Sequence, residues 1–89
     1  MVNRPPERRF EISQKANRFI ENLPAKLRSR IREAVGCLIR GDINHLDIKP
    51  LSPHPHEYRL RVGKIRILFH ADKEILFIFK AGYRGDIYK

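Results

Sequence analysis

The chain has 89 residues and a formal net charge of +9, from 19 Lys and Arg residues against 10 Asp and Glu residues. That length suits one domain with a thin core and excludes a second domain. The basic excess favours a polyanionic partner, either a nucleic acid or an acidic protein, because guanidinium groups bind phosphates and carboxylates through paired hydrogen bonds.

The cysteine count and the hydrophobic pattern exclude further classes. Cys37 is the single cysteine, so no disulfide can form within the chain, which indicates a reducing, cytoplasmic environment. No apolar run approaches the length of a membrane span, and no signal peptide is visible. Cys, His and acidic residues show no metal-ligand spacing, so the sequence predicts no metal site and no cofactor.

The first part of the chain predicts an arm, a strand and a helix. Residues 1–7 hold two prolines and no apolar period, which predicts a flexible arm before a single domain at residues 8–89. Alternating polar and apolar residues predict a strand at 8–12. Ser13 is expected to cap a helix whose apolar stripe runs over 16–23.

Pro24 predicts the break between this helix and a second one, because proline disfavours helical geometry at the residue before it and suits a helix start. The second apolar stripe runs from Leu27 to Ile39, and Gly41 is expected to end the helix. The two helices then form a hairpin with one apolar side. The three prolines in residues 42–56 predict a loop that does not pair into a sheet.

From residue 57 the hydrophobic period changes to two, which predicts strands. Gly63 and Lys64 form a two-residue turn, in which glycine at the first position suits type II′. Two further strands, at 65–70 and 75–80, complete the order β-α-α-β-β-β. The sequence therefore predicts an α+β fold, an antiparallel sheet packed against an N-terminal helical hairpin.

The predicted hairpin concentrates positive charge. Arg59 and Arg61 share one face of a strand, and the turn sets Arg61 opposite Arg66. Opposed like charges are destabilising, so these residues need a counter-charge. One interpretation is a solvated face on which the side chains spread apart. We favour a bound phosphate, whose growing negative charge during a reaction the arginines would stabilise.

The stretch "YRGDIYK" at residues 83–89 adds to this pattern. Arg84 can bring a further guanidinium to the same face, and Tyr88 offers a ring on which a base can stack. Lys64 and Lys89 are expected to help bind the substrate. Together with the absence of metal ligands, these residue types suggest RNA cleavage by attack of a ribose 2′-OH on its adjacent phosphate. By themselves the residue types support only a basic module that binds RNA or phosphate.

The stretches "YRLRVGKIRILF" and "AGYRGDIYK", the "LP" break and "DIKPL" resemble the RelE/ParE toxin superfamily of prokaryotic toxin–antitoxin systems. The resemblance covers residues 8–89 and implies a RelE-like fold. It implies a ribosome-dependent, metal-independent endonuclease that cuts messenger RNA in the A site. In this interpretation the catalytic residues are Arg61, Arg66, Arg84 and Tyr88, with Arg59, Lys64 and Lys89 binding the substrate.

The resemblance also implies a partner, an acidic antitoxin from the same operon that forms a hetero-oligomer with the toxin. Two alternatives stay open: a ParE-type, non-enzymatic inhibitor of DNA gyrase, and an inactive relative that only binds an antitoxin. The general base is open as well, because Arg61 stands where relatives carry a lysine, and arginine is a poor base. Tyr88, Tyr83, His70 and a ribosomal group are the candidates.

Overall fold

The computed structural model describes residues 8–51 and 53–87, so the predicted arm, Tyr88 and Lys89 lie outside the described residues. The elements are β1 (Arg9–Ile12), α1 (Gln14–Glu21), α2 (Ala25–Arg40), β2 (Asp47–Pro50), β3 (Glu57–Val62), β4 (Ile65–Ala71) and β5 (Ile75–Tyr83). The strands form one sheet in the order β1-β5-β4-β3-β2. The α+β fold is confirmed, with a mixed sheet because β1 runs parallel to β5.

Both helices begin and end where the sequence predicts. Ser13 Oγ accepts a hydrogen bond from the Ala16 N–H at 3.1 Å, and Gly41 ends α2 with a left-handed φ of 79°. Their apolar stripes meet one face of the sheet in a core that contains Ala16, Ile20, Leu23, Ile31, Ala34, Leu38, Leu60, Ile65, Ile67, Phe69, Leu76 and Ile78. Among the described residues, neither helix is long and apolar enough to cross a membrane.

The loop predicted for residues 42–56 is wrong in one part, because residues 47–50 form β2. This strand pairs antiparallel with β3, from Asp47 opposite Arg61 to Pro50 opposite Tyr58. Proline is tolerated there because β2 is an edge strand with a partner on one side only. The consequence is that β2 brings an acidic residue, Asp47, beside the arginines of β3.

The sheet face away from the helices also buries apolar side chains. Leu68 and Ile87 are buried on this side. A Cβ added at Gly82 would lie 3.2 Å from Ile87 Cδ1. The side chain of Ile87, which follows β5, therefore packs directly against Gly82. The chain therefore folds back across the helix-free face after β5, and the side-chain-free Gly82 leaves room for it.

We expect Ile87→Ala to lower the free energy of unfolding by roughly 2–4 kcal/mol, the usual range for a buried isoleucine. Ile87 is only 2% exposed, whereas Ile39 on α2 is 46% exposed. Ile39→Ala is the matched control and is expected to stay within about 0.5 kcal/mol of the parent. Urea unfolding of both variants measures the change in the free energy of unfolding. An equal decrease for Ile87→Ala and Ile39→Ala would contradict the described packing of the chain end.

Candidate functional site

The β3–β4 hairpin has the register that the sequence predicts. Val62 lies opposite Ile65 and Arg61 lies opposite Arg66, with Gly63 at the first turn position at φ 57°. Leu60 and Ile67 are fully buried toward the helices. Because side chains alternate along a strand, Arg59, Arg61 and Arg66 point to the helix-free side. We call these three residues the arginine face.

Arg66 is held by its own turn. The residue is 7% exposed, and its Nη1 donates hydrogen bonds to the carbonyls of Gly63 at 2.8 Å and Ile65 at 3.2 Å. The Arg66 side chain therefore does not extend freely into solvent, as the interpretation of a solvated face would require. Its charge is fixed in place beside the exposed Arg61.

Asp47 supplies a counter-charge that the sequence did not predict. Arg59 Nη2 donates to Asp47 Oδ1 at 2.8 Å, and the Arg59 side chain is only 16% exposed. The Nε of Arg59 is buried and has no hydrogen-bond partner within the described part of the chain. Arg61 is 54% exposed, and its Nε lies 3.8 Å from Asp47 Oδ2. Arg59 is thus a paired structural cation, and Arg61 is the more available one.

The chain after β5 joins the site at the hairpin turn. The Arg84 N–H donates to the Lys64 carbonyl at 2.9 Å, so Arg84 sits next to the Gly63-Lys64 turn. Gly82 lies opposite Arg66 in the β4–β5 pairing. The structure therefore brings the backbone of Arg84 and Lys64 to one end of the arginine face. Tyr88 and Lys89 follow Ile87 in the chain and lie outside the described residues.

Arg30 is a further cation at this turn, and sequence reasoning missed it. A Cβ added at Gly63 would lie 3.6 Å from Arg30 Nη1, so the guanidinium of this α2 residue rests against the turn. The sequence carries no signal for this contact, since a charged residue on an amphipathic helix usually faces solvent.

Tyr83 and His70, two candidates for the general base, lie away from the Arg61–Arg66 pair. The Tyr83 ring packs edge-to-face on Phe19 of α1 with centroids 5.3 Å apart, on the helix side of the sheet. His70 shares the face of Arg66 but lies four positions along β4, about 13 Å by the rise of a strand. Neither reaches a phosphate held by the pair.

His70 instead belongs to a second polar cluster at the far end of β4. Its Nε2 lies 3.0 Å from Asp72 Oδ2, and the His56 ring centroid lies 6.0 Å from its own. The hydrogen bond with His70 and those from the backbone N–H groups of Glu74 and Ile75 lower the pKa of Asp72 from 3.8 to about 2. The Asp72 carboxylate therefore anchors the turn into β5.

Three possible metal ligands lie close together at the end of α2, although the sequence shows no metal-ligand spacing. The ligand atoms of Cys37, Asp42 and His45 all lie within 4.8 Å of one another. They surround the end of α2, on the helix side of the sheet, and so lie apart from the arginine face. The spacing escaped sequence analysis because it depends on how the chain turns at Gly41.

Solved structures share this fold. The RelE–RelB complex from Pyrococcus horikoshii OT3 aligns with a TM-score of 0.75 at 21% identity, covering 90% of this chain and 98% of that chain. The RelB–RelE antitoxin–toxin complex from Methanococcus jannaschii aligns with a TM-score of 0.72 at 24% identity, covering 86% and 93%. The E. coli DinJ–YafQ toxin–antitoxin complex gives 0.75 at 13% identity, covering 93% and 99%.

These likenesses confirm the predicted resemblance at the level of the fold, which is RelE-like. No family model and no curated protein matches the chain. At such low identities the residues of the site have to be argued from their own geometry.

We expect Asp72→Asn to destabilise the fold at neutral pH and to have little effect in strong acid. The pKa of Asp72 is lowered on folding, so its stabilising contribution is present above its usual pKa of 3.8 and is lost as the pH falls through about 2. Urea unfolding of parent and variant should give a difference at about pH 6 that shrinks toward about pH 2. Glu33→Gln, at an exposed carboxylate on α2, is the control, and a pH-independent difference for Asp72→Asn would contradict the assignment.

Proposed function

We propose that this RelE-fold protein is the toxin of a toxin–antitoxin system and acts as a ribosome-dependent endoribonuclease on messenger RNA. The observation that carries the proposal is the directly opposed pair of Arg61 and Arg66. Like charges placed opposite each other are destabilising. A site that keeps such a pair, on a chain of net charge +9, suits an anionic ligand such as an RNA phosphate.

The shape of the surroundings supports a bound phosphate in particular. The carbonyls of Gly63 and Ile65 accept hydrogen bonds from Arg66 Nη1 and so fix the direction of its guanidinium. Arg61 is half-exposed and can bend toward a ligand, and the Arg30 guanidinium adds positive charge at the turn. A backbone hydrogen bond ties Arg84 to Lys64 at the same turn. Preorganised donors of this kind stabilise charge that develops in a transition state more than charge in the ground state.

The proposed reaction is attack by a ribose 2′-OH on the adjacent phosphate, which breaks the bond to the 5′ oxygen of the next nucleotide. This oxygen takes up a proton and leaves as a hydroxyl group, and the 2′ and 3′ oxygens share a cyclic phosphate. In this mechanism Arg61, Arg66 and Arg84 bind the phosphate and stabilise its added negative charge. Lys64 and Lys89 hold flanking phosphates, and Arg59, which pairs with Asp47 at 2.8 Å, adds to the positive field that binds the substrate. Tyr88 stacks on the base beside the cut and orients it.

The proton of the 2′-OH needs an acceptor other than arginine. Tyr83 faces α1, and His70 is about 13 Å from Arg66 along β4. We therefore assign the role to Tyr88 or to a group of the ribosome. A base supplied by the ribosome would be a physical reason for ribosome dependence, since free RNA would then lack part of the catalytic apparatus.

The proposed partner is an acidic antitoxin. The RelE and YafQ proteins of the similar structures were each crystallised with an antitoxin, RelB or DinJ. A net charge of +9 favours the same arrangement here, because an acidic segment gains by neutralising the arginine face.

We expect induced expression of the parent chain to stop growth and to yield cleaved messenger RNA, mapped by primer extension. Arg61→Ala and Arg84→Ala should each lower cleavage by about 100-fold or more, because each removes a donor to the reacting phosphate. Arg32→Ala is the matched control, since Arg32 binds Glu21 on the helix side at 2.6 Å.

Other outcomes of the same experiment would redirect the proposal. Intact messenger RNA with DNA-damage signalling would indicate a gyrase inhibitor of ParE type, and absence of any growth defect would indicate a chain that only binds its antitoxin. Undiminished cleavage by Arg84→Ala combined with Tyr88→Phe would remove both residues from the site. Efficient cutting of a naked oligonucleotide would contradict the ribosome dependence.

A further inference from the structure

We infer that Cys37, Asp42 and His45 form a binding site for a divalent transition metal, with Zn²⁺ as the best fit. One ligand atom from each residue lies within 4.8 Å of the other two. Thiolate, imidazole and carboxylate are the three ligand types of protein zinc sites, and three protein ligands with an open fourth position make a complete set. The sulfur ligand disfavours Mg²⁺ and Ca²⁺, which prefer oxygen alone.

The end of α2 brings the three residues together. Gly41 turns the chain with its left-handed φ of 79°. The Asp42 N–H then donates to the Cys37 carbonyl at 2.9 Å, which folds Asp42 back beside Cys37. The next turn closes with the Leu46 N–H donating to the Ile43 carbonyl at 3.0 Å, and this returns His45 toward the helix. Backbone hydrogen bonds thus place all three ligands before any metal binds.

Small side-chain movements complete the coordination. Bonds of about 2.3 Å to sulfur and about 2.0–2.1 Å to nitrogen and oxygen require the three atoms to approach by roughly an ångström. Asp42 and His45 have side chains that are 63% and 58% exposed, and His45 Nδ1 already lies 3.8 Å from Asp42 Oδ1. These two exposed ligands can rotate onto a metal held by the buried Cys37.

The electrostatics of the helix end also suit a cation. The last carbonyls of a helix carry partial negative charge, so a cation is stabilised there. Arg8 Nη2 already donates to one of these carbonyls, that of Leu38, at 3.3 Å. The group that competes for the sulfur is Arg40, whose Nη2 donates to Cys37 Sγ at 3.4 Å. A metal would displace this guanidinium from the sulfur, so Arg40 opposes binding. The site lies on the other side of the sheet from the arginine face, and its occupation is separate from the proposed RNA cleavage.

The test uses the full chain, made by cell-free synthesis and stripped with a chelator, then titrated with Zn²⁺ against a chromophoric indicator and with Co²⁺ followed by absorbance. We expect one equivalent to bind, a thiolate-to-cobalt charge-transfer band, and a higher thermal midpoint with Zn²⁺. His45→Ala and Asp42→Asn should each weaken binding by about tenfold or more. Cys37→Ser should abolish the charge-transfer band.

Two further variants make the test specific. Arg40→Ala should tighten Zn²⁺ binding several-fold, because it removes the competitor for Cys37 Sγ, and a purely structural role for Arg40 predicts no such gain. His54→Ala is the control, since this exposed histidine lies outside the cluster. Two results would overturn the assignment, and neither requires that Cys37→Ser folds. One is that His54→Ala weakens metal binding as much as His45→Ala does. The other is a Co²⁺ spectrum of the parent chain without a charge-transfer band.

Discussion

The register of the β3–β4 hairpin is the constraint on which the rest of the molecule depends. The two-residue turn at Gly63 and Lys64 sets Arg61 opposite Arg66 and, on the other face, Leu60 opposite Ile67. A shift by one residue would exchange the two faces and bury the arginines in the core. The turn also offers two backbone carbonyls, which accept from Arg66 and from the Arg84 N–H. One short turn therefore fixes the core, the cationic pair and the path of the chain end together.

The arginines of this face are chemically alike but have different environments. Arg59 forms a close ion pair with Asp47, and Arg66 is buried against its own turn. Arg61 is exposed, and its Nε lies 3.8 Å from Asp47 Oδ2. Asp47 is then a resident anion that partly neutralises the face when no ligand is bound. A phosphate that binds Arg61 competes with the Asp47 carboxylate for Arg61 alone. The ion pair between Asp47 and Arg59 stays intact.

Local patterns in the sequence were enough to predict the helices and the hairpin. The serine cap, the apolar stripes and the alternation in β3 each depend on near neighbours in the chain, and their register follows from one turn. The strand β2 was missed because its proline suggests a loop, and only its place at the edge of the sheet makes pairing possible. The position of Arg30 depends on a contact between α2 and the β3–β4 turn, for which no local pattern exists. The cluster of Cys37, Asp42 and His45 depends on the path of the chain through the turn at Gly41. The proposed role of Tyr88 stays a prediction.

The parallel pairing of β1 with β5 has a consequence for how the protein is made. The strand that β1 and α1 both pack against comes last in chain order. During synthesis β1 and α1 therefore lack the strand that they pack against until β5 has left the ribosome. Because contacts so distant in the chain form slowly, the pairing of β1 with β5 is a late step in the assembly of the sheet.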